Sequence, residues 1–290
     1  MFGTEDEILD AISTRESDLS ALRQQMEEDF DLFSLLAYEP KDASGKKRKG
    51  YEAYTSSAPR NFFDKVQDAL NRAALTIQIQ LPEGASQKDT RAASGGELFL
   101  FGALAEIDRR LTRRGEPPLR DGLGFLMCLR GWVALRALVY TNKKKETIFD
   151  VMPWDPLHLT WEVGPDGLLW AAYKRRATKA QIYAEYGLTI EGKDGEVIDF
   201  WDTDKNAVIV ERQFAKKPTE HHIGHPPVFI GAVGSMPTIL RQEYDSTLEY
   251  RGASVWSASR SLYEPFNKYV SSLMDVQRRA VAGSLKVKSA

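Results

Sequence analysis

The sequence predicts an α+β fold in which helices come first, a mixed sheet of mainly antiparallel hairpins follows, and a long helix closes the chain. Three observations predict it. Residues 1–40 repeat apolar side chains every three to four positions, the period of a helix face. Between residues 130 and 230 the period falls to two, with proline and glycine turn signals between the runs. From residue 251 the helical period returns and holds almost to the end.

The first segment, 1–40, is an acidic helical arm. Thr4 and Glu7 stand at capping-box spacing, and Ile8, Ile12, Leu19, Leu22, Met26, Phe30 and Phe33 form the apolar stripe, with one gap. Eleven acids against Arg15 and Arg23 give residues 1–39 a charge of −9, so the overall −2 hides a remainder of +7. A long terminal helix cannot bury its stripe alone. Those seven side chains are therefore the candidate contact with a neighbouring subunit, the alternative being an ordinary solvated helix. Residues 41–56 form a basic Gly/Ser linker whose Lys46-Lys47-Arg48-Lys49 run reads either as solvated or as a nucleic-acid contact.

The body, 57–250, opens with Pro59 at a first helical turn, followed by Phe63, Val66, Leu70, Ala74 and Ile77 on one face. Strict alternation over Thr76–Leu81 predicts a strand, and the polar residues from Pro82 to Gly96 predict a loop. A second helix carries Leu98, Phe101, Leu104, Ile107 and Leu111 until Arg113 to Pro118 breaks it. Gly131 marks the change from helix to strand, after which Val133, Leu135, Ala137 and Val139 alternate with Trp132, Ala134, Arg136, Leu138 and Tyr140.

Met152 to Pro156 breaks the next strand, and Leu157, Leu159, Trp161 and Val163 then share a face. Pro165-Asp166-Gly167 is a turn, and Leu168–Tyr173 returns as the partner strand with Trp161 and Trp170 as cross-strand neighbours. Thr178 with Gln181 predicts another capping box, and Gly187 the matching C-cap. Glu196–Asp202 and Ala207–Gln213 form a hairpin around Asp204-Lys205-Asn206, and Pro226–Ile230 is a short strand. In 251–290 Trp256, Leu262, Phe266, Leu273, Val276 and Val281 mark a stem-like helix that Pro265 should kink or restart.

Catalytic and metal signals are weak. His221, His222 and His225 have the closest thing to ligand spacing, but with prolines beside them and no nearby cysteine they read as a surface loop. His158 lacks a local acid or nucleophile, and Ser94-Gly95-Gly96 has neither the Walker lysine nor the dinucleotide fingerprint. Cys128, the single cysteine, lies among apolar residues as a small core side chain. Arg109, Arg110, Arg113 and Arg114 either contact phosphates or complement a helix C-terminus. No catalytic residue, metal or cofactor is expected. Nor is a membrane span, since no window approaches the roughly 18 apolar residues one needs; a soluble, cytoplasmic chain is expected.

Several pieces carry a resemblance when taken in order. Ala58-Pro59-Arg60-Asn61-Phe62-Phe63-Asp64-Lys65, Arg130-Gly131-Trp132, Pro153-Trp154-Asp155-Pro156, Trp161-Glu162, Asp166-Gly167-Leu168 and Thr178–Tyr186 resemble the N-terminal half of tailed-bacteriophage portal proteins. Gly224 to Val228, Arg251 to Ser254 and Leu262 to Asn267 are similar to that family's passage from wing to stem. The resemblance, over about residues 50–285, implies a portal wing leading into a first stem helix. It further implies a ring, expected to be a dodecamer, at one capsid vertex, through which double-stranded DNA passes without sequence preference. Terminase, a head-tail adaptor and the major capsid protein or scaffold are the implied partners. The implied location is the virion, with the host cytoplasm during assembly. Portal chains usually continue into a clip, a second stem helix and a crown, which this sequence lacks; a truncated portal is expected, a divergent short form being the alternative. Arg278, Arg279, Lys286 and Lys288 near the helix end are the candidate DNA-proximal residues. The competing readings are a head-tail adaptor or minor capsid protein, and a nucleic-acid-processing enzyme domain.

Overall fold

In the computed structural model, which describes residues 2–42, 44–48, 50–142, 144–234 and 251–284, the N-terminal acidic segment is folded into the body. Helix α1 (Glu5–Asp18) starts at the expected box: Thr4 Oγ1 accepts from the Glu7 amide, and the Glu7 carboxylate accepts from the Thr4 amide. A single residue, Leu19, separates it from α2 (Ser20–Ser34), which ends in left-handed Leu35. Ile8 and Ile12 pack on one face of a five-stranded antiparallel sheet, against Trp170, Ala172, Ile198 and Phe200. Leu19, Leu22 and Met26 pack with Trp161, Ala171 and Trp201 of the opposite face, and with Trp132, Ala134 and Trp154 of a second sheet. The helix pair therefore wraps the edge strand of the larger sheet, β3 (Leu159–Gly164).

This corrects the reading of the stripe. Ile8, Ile12, Leu19, Leu22 and Met26 are at most 4% exposed, so they are core residues of their own chain and unavailable to a neighbour. Phe33 is also internal, edge-on to Phe63 (4.8 Å) and Phe125 (5.2 Å). Only Phe30 remains exposed. The physical reason is that two short helices, hinged at Leu19, reach two sheet faces that one straight helix could not.

The inward acids and basics of this segment are paired across the fold. Arg15 Nε donates to the Trp161 carbonyl (3.0 Å), and Arg23 donates to Thr160 Oγ1 (2.7 Å). Glu16 meets Lys174 (2.7 Å) and Arg23 (3.1 Å). Burial pushes the Glu16 carboxyl up, but these two cations outweigh it and hold it below the usual carboxylate range. Asp29, buried, takes both arms of Arg260 (2.8 and 2.7 Å).

The two sheets share the intervening core. In the smaller one, β1 (Trp132–Thr141) is central between β2 (Thr147–Trp154) and β8 (Val228–Ala232). The larger runs from β3 through β4 (Gly167–Thr178), β5 (Asp194–Asp202), β6 (Lys205–Val210) and β7 (Gln213–Glu220) as an antiparallel meander. Strand β2 runs through Pro153, which its edge position allows. The break comes later, where Asp155 caps a 3-10 turn over Pro156–His158. That turn takes Leu157 and His158 out of the strand expected there.

Trp161 and Trp170 are not stacking partners. Trp161 pairs with Ala171 and Glu162 with Trp170, so the two indoles project from opposite faces into different cores. A one-residue register shift is enough to do this. The second expected hairpin, Glu196–Asp202 with Ala207–Gln213, also shifts: β6 stops at Val210, Glu211 and Arg212 form the turn with positive φ, and Gln213 opens β7. Helix α6 (Lys179–Tyr186) follows expectation, with the Thr178–Gln181 box and a left-handed Gly187.

A helical core joins this body to the C-terminal helix. Helices α3 (Ala58–Arg72) and α5 (Leu119–Arg130) enclose Phe63, Cys128, Leu129 and Trp256, with α2 supplying Leu32 and Phe33. Residues 76–81, expected as a strand, pair with no strand among the described residues. The expected loop from Pro82 to Gly96 is instead largely helix. Ser86 and Asp89 form a capping box that starts α4 (Gln87–Arg113) well before the glycines. A Cβ on Gly96 would stand 2.7 Å from Ile79 Cδ1, so this position seats the preceding segment against the helix. Helix α7 (Arg260–Ser284) begins after turns at 255–259 and contains Pro265 internally.

Replacing Ile12 by Ala should cost about 2–5 kcal/mol, and Phe30→Ala less than about 1 kcal/mol, in denaturant unfolding. The difference separates a core stripe from a surface one. A lowered folded pKa makes the stability contributed by Glu16 present above its unfolded value of 4.5 and lost as pH falls through the folded value. The stability difference between wild type and Glu16→Gln should therefore shrink as pH drops below 4.5.

Candidate nucleic-acid interface

Two basic segments more than 200 residues apart meet at the far end of α7. The linker folds back on itself: Asp42 Oδ1 accepts from the Ser44 and Lys46 amides (2.8 and 3.0 Å), and Gly45 supplies the positive φ. The hydroxyl of Ser44 and the amide of Lys46 hold the Asp42 carboxyl below its ordinary range. The strand-like continuation is then strapped along α7. Ser56 N donates to Asn267 Oδ1 (2.9 Å), Tyr54 N to Ser271 Oγ (2.8 Å), and Arg278 to the Gly50 carbonyl (2.5 Å).

The strap brings cations together around one aromatic ring. The Arg48 guanidinium lies 4.9 Å and that of Arg279 5.3 Å from the Tyr51 centroid, and Arg279 also donates to the Tyr51 hydroxyl (2.7 Å). Arg278 and Arg279 share the carboxylate of buried Asp275 (3.1 and 2.8 Å), which orients them while leaving their side chains 47% and 62% exposed. Lys46 is exposed in the same loop, and Lys47 pairs with Glu39. Four cations, an aromatic ring and one buried carboxylate make a surface suited to phosphate oxygens. Such contacts give affinity without reading sequence.

The other sequence-predicted residues fall elsewhere. Lys286 and Lys288 lie outside the described residues. At the arginine-rich end of α4, Arg109 pairs with Glu106, Arg110 and Arg114 turn to Asp150 (3.9 and 3.1 Å), and Arg113 is exposed. His221 Nε2 lies 3.0 Å from the Asp202 carbonyl and its ring packs by Trp201. Among the described residues no group of three His, Cys, Asp or Glu side chains is placed to hold a metal ion. Cys128 is buried, and burial pushes its thiol pKa up.

Sequence reasoning missed a cleft of about 790 Å³ between α5, β2, β4 and α6. Trp154 and Tyr173 stack in its wall at 4.7 Å, and Arg136 bridges the two sheets, donating to Asp150 (2.6 Å) and Asp199 (3.2 Å). Burial pushes the Asp199 carboxyl up, opposed by Arg136 and by Asn206, which donates to it at 3.0 Å. Arg136 ties sheet to sheet through these two carboxylates, while its buried Nε has no hydrogen-bond partner. Only the alternation placing Arg136 on a face of β1 hinted at it.

Among the described residues no helix is long and apolar enough to cross a membrane. The chain matches no family model and no curated protein.

Arg48→Glu combined with Arg279→Glu should weaken binding to random-sequence duplex DNA equally for all sequences. The slope of log affinity against log salt should fall by about one for each phosphate that is no longer neutralised. Fluorescence anisotropy across a salt series measures both.

Proposed function

We propose that this chain is the wing and first stem helix of a portal-type protein, a non-catalytic ring subunit through which double-stranded DNA passes at a capsid vertex. The observation that carries this reading is a convergence. Four of the segments that resemble portal proteins, those holding Pro59, Arg130-Gly131, Asp155 and Ser254, meet at one junction between the sheets and α7. Trp256 Nε1 donates to the Pro59 carbonyl (3.1 Å), and Val255 N donates to the Cys128 carbonyl (3.0 Å). Arg130 grips Asp155 through two bonds (3.0 and 2.8 Å). Gly131, at φ 67°, lies so close to the 253–254 backbone that a Cβ would sit 2.5 Å from the Ser254 amide nitrogen. Motifs with no shared chemistry have a common reason to recur together if their task is to fix the angle at which a long helix leaves the body.

Two further features support it. α7 is 25 residues, or about 37 Å, and is tied to the body through Arg260, Asn267 and Ser271. Its end carries the basic surface around Tyr51, and a conduit needs contacts to phosphate that are many, weak and indifferent to sequence. Terminase, a head-tail adaptor and the capsid or its scaffold are the partners this role entails, and the virion is its location.

Negative-stain microscopy and native mass spectrometry of the purified chain should show closed rings with a central hole. Discrete monomers at micromolar concentration would overturn the reading. At the junction, Gly131→Ala should lower the melting temperature by several degrees or more, since it both strains a positive φ and drives a methyl into the 253–254 backbone.

A further inference from the structure

The basic surface contains one residue whose part in it is not fixed by charge. Tyr51 accepts at its hydroxyl from Arg279 Nη2 (2.7 Å), and the guanidinium carbons of Arg48 and Arg279 stand 4.9 and 5.3 Å from the centre of its ring. Aromatic rings that bind nucleic acid commonly do so by stacking a base on an open face. Tyr51 is half-buried, and its ring is already engaged by two cations of its own chain.

What the ring does for those cations differs between them. Arg279 has a second anchor in buried Asp275, through Nε (2.8 Å). Arg48 has no such anchor. Its backbone amide is tied to the Pro40 carbonyl (2.8 Å), but among the described residues its guanidinium makes no hydrogen bond or salt bridge, and apart from the charge of Asp42 it is held by the ring. An unheld arginine on a loop gives up its rotamer freedom only on binding, which weakens the contact. Seated against Tyr51, Arg48 has given up part of that freedom already. Arg278 is fixed from the same strap, through the Gly50 carbonyl (2.5 Å), and its Nη1 and that of Arg279 have no partner among the described residues. Three guanidinium groups from two distant segments are thus ordered before any ligand arrives.

We propose that Tyr51 is a positioning residue for phosphate: it sets Arg48 of the linker beside Arg279 of α7, so that both guanidinium groups meet one stretch of backbone together, and it stacks on no base. This inference rests on the nucleic-acid reading of the surface and adds to it the residue that orders the cations. Planar guanidinium groups suit such a task, because their donors pair with phosphate oxygens in a fixed fork.

The test is fluorescence anisotropy across a salt series, with random-sequence duplex DNA and single-stranded oligothymidine as probes. Tyr51→Leu removes ring and hydroxyl but no charge. Affinity should fall about three- to tenfold on both probes, while the slope of log affinity against log salt, which counts neutralised phosphates, stays at the wild-type value. Tyr51→Phe keeps the ring and should recover most of the affinity. Arg48→Gln should instead lower the slope by about one. The slope also separates positioning from folding, since a released strap would carry Arg48 away and lower it. Wild-type affinity in Tyr51→Leu would overturn the proposal, and so would a lowered slope in that variant. A loss confined to the single strand would overturn it in favour of base stacking, and Tyr51→Phe as weak as Tyr51→Leu would overturn it in favour of the hydroxyl. Each of these results with a wild type that binds DNA sinks only the role of Tyr51; a wild type that binds neither probe sinks the nucleic-acid reading too.

Discussion

Arg130, 6% exposed at the end of α5, is the buried cation around which the elements are arranged: it donates to the Met26 carbonyl at 2.6 Å and clamps Asp155 with Nε and Nη2. Asp155 in turn caps the 3-10 turn that separates the two sheets, its Oδ1 accepting from the Leu157 amide. One guanidinium thus connects α2, α5 and both sheets. Isolated in the interior, such a charge would cost several kcal/mol, and its stability comes only from complete pairing. Removing any one partner leaves the others buried and unmatched, so these four elements hold their positions jointly.

The same rule governs the charge asymmetry of the chain. The N-terminal segment carries a large excess of acid, yet its inward members are matched locally: Glu16 by Lys174 and Arg23, and Asp29 by Arg260. The Asp29 pair is the more consequential because it anchors the first turn of α7 to α2. With the strap from Gly50 to Ser56 along one side, α7 is fixed at its base and along one edge. Packing energy positions the helix base, and hydrogen bonds to a narrow strap position the rest.

That arrangement also explains why the basic surface lies where it does. Lys46 and Arg48 belong to a loop with no core of its own, and Arg278 and Arg279 to a helix end beyond the helical core. They meet because the strap runs along α7 from Asn267 to Arg279, and Tyr51 is the point at which the Arg48 and Arg279 guanidinium groups find a common ring. Asp275, buried beneath them, keeps the two helix arginines from turning back along the helix.

Local rules sufficed wherever the controlling interaction spans a few residues. Thr4–Glu7 and Thr178–Gln181 begin helices where their spacing says, Gly131 and Gly187 end α5 and α6, and the α+β class follows from the change of period. Local rules failed where a distant contact outweighs a nearby signal. The alternation of residues 76–81 found no strand to pair with among the described residues, and the glycines at 95–96 were absorbed by α4, where Ile79 fills the space that a side chain on residue 96 would take. Whether Trp161 faces Trp170 depends on register, which one residue inverts. The helix caps, the class and the identity of the basic residues at α7 are therefore legible in the chain alone. Folding had to assign the N-terminal stripe to the core and bring a loop near residue 48 against residue 279 to complete a basic surface. Burial and proximity across hundreds of residues are properties of packing, and no period in the chain encodes them.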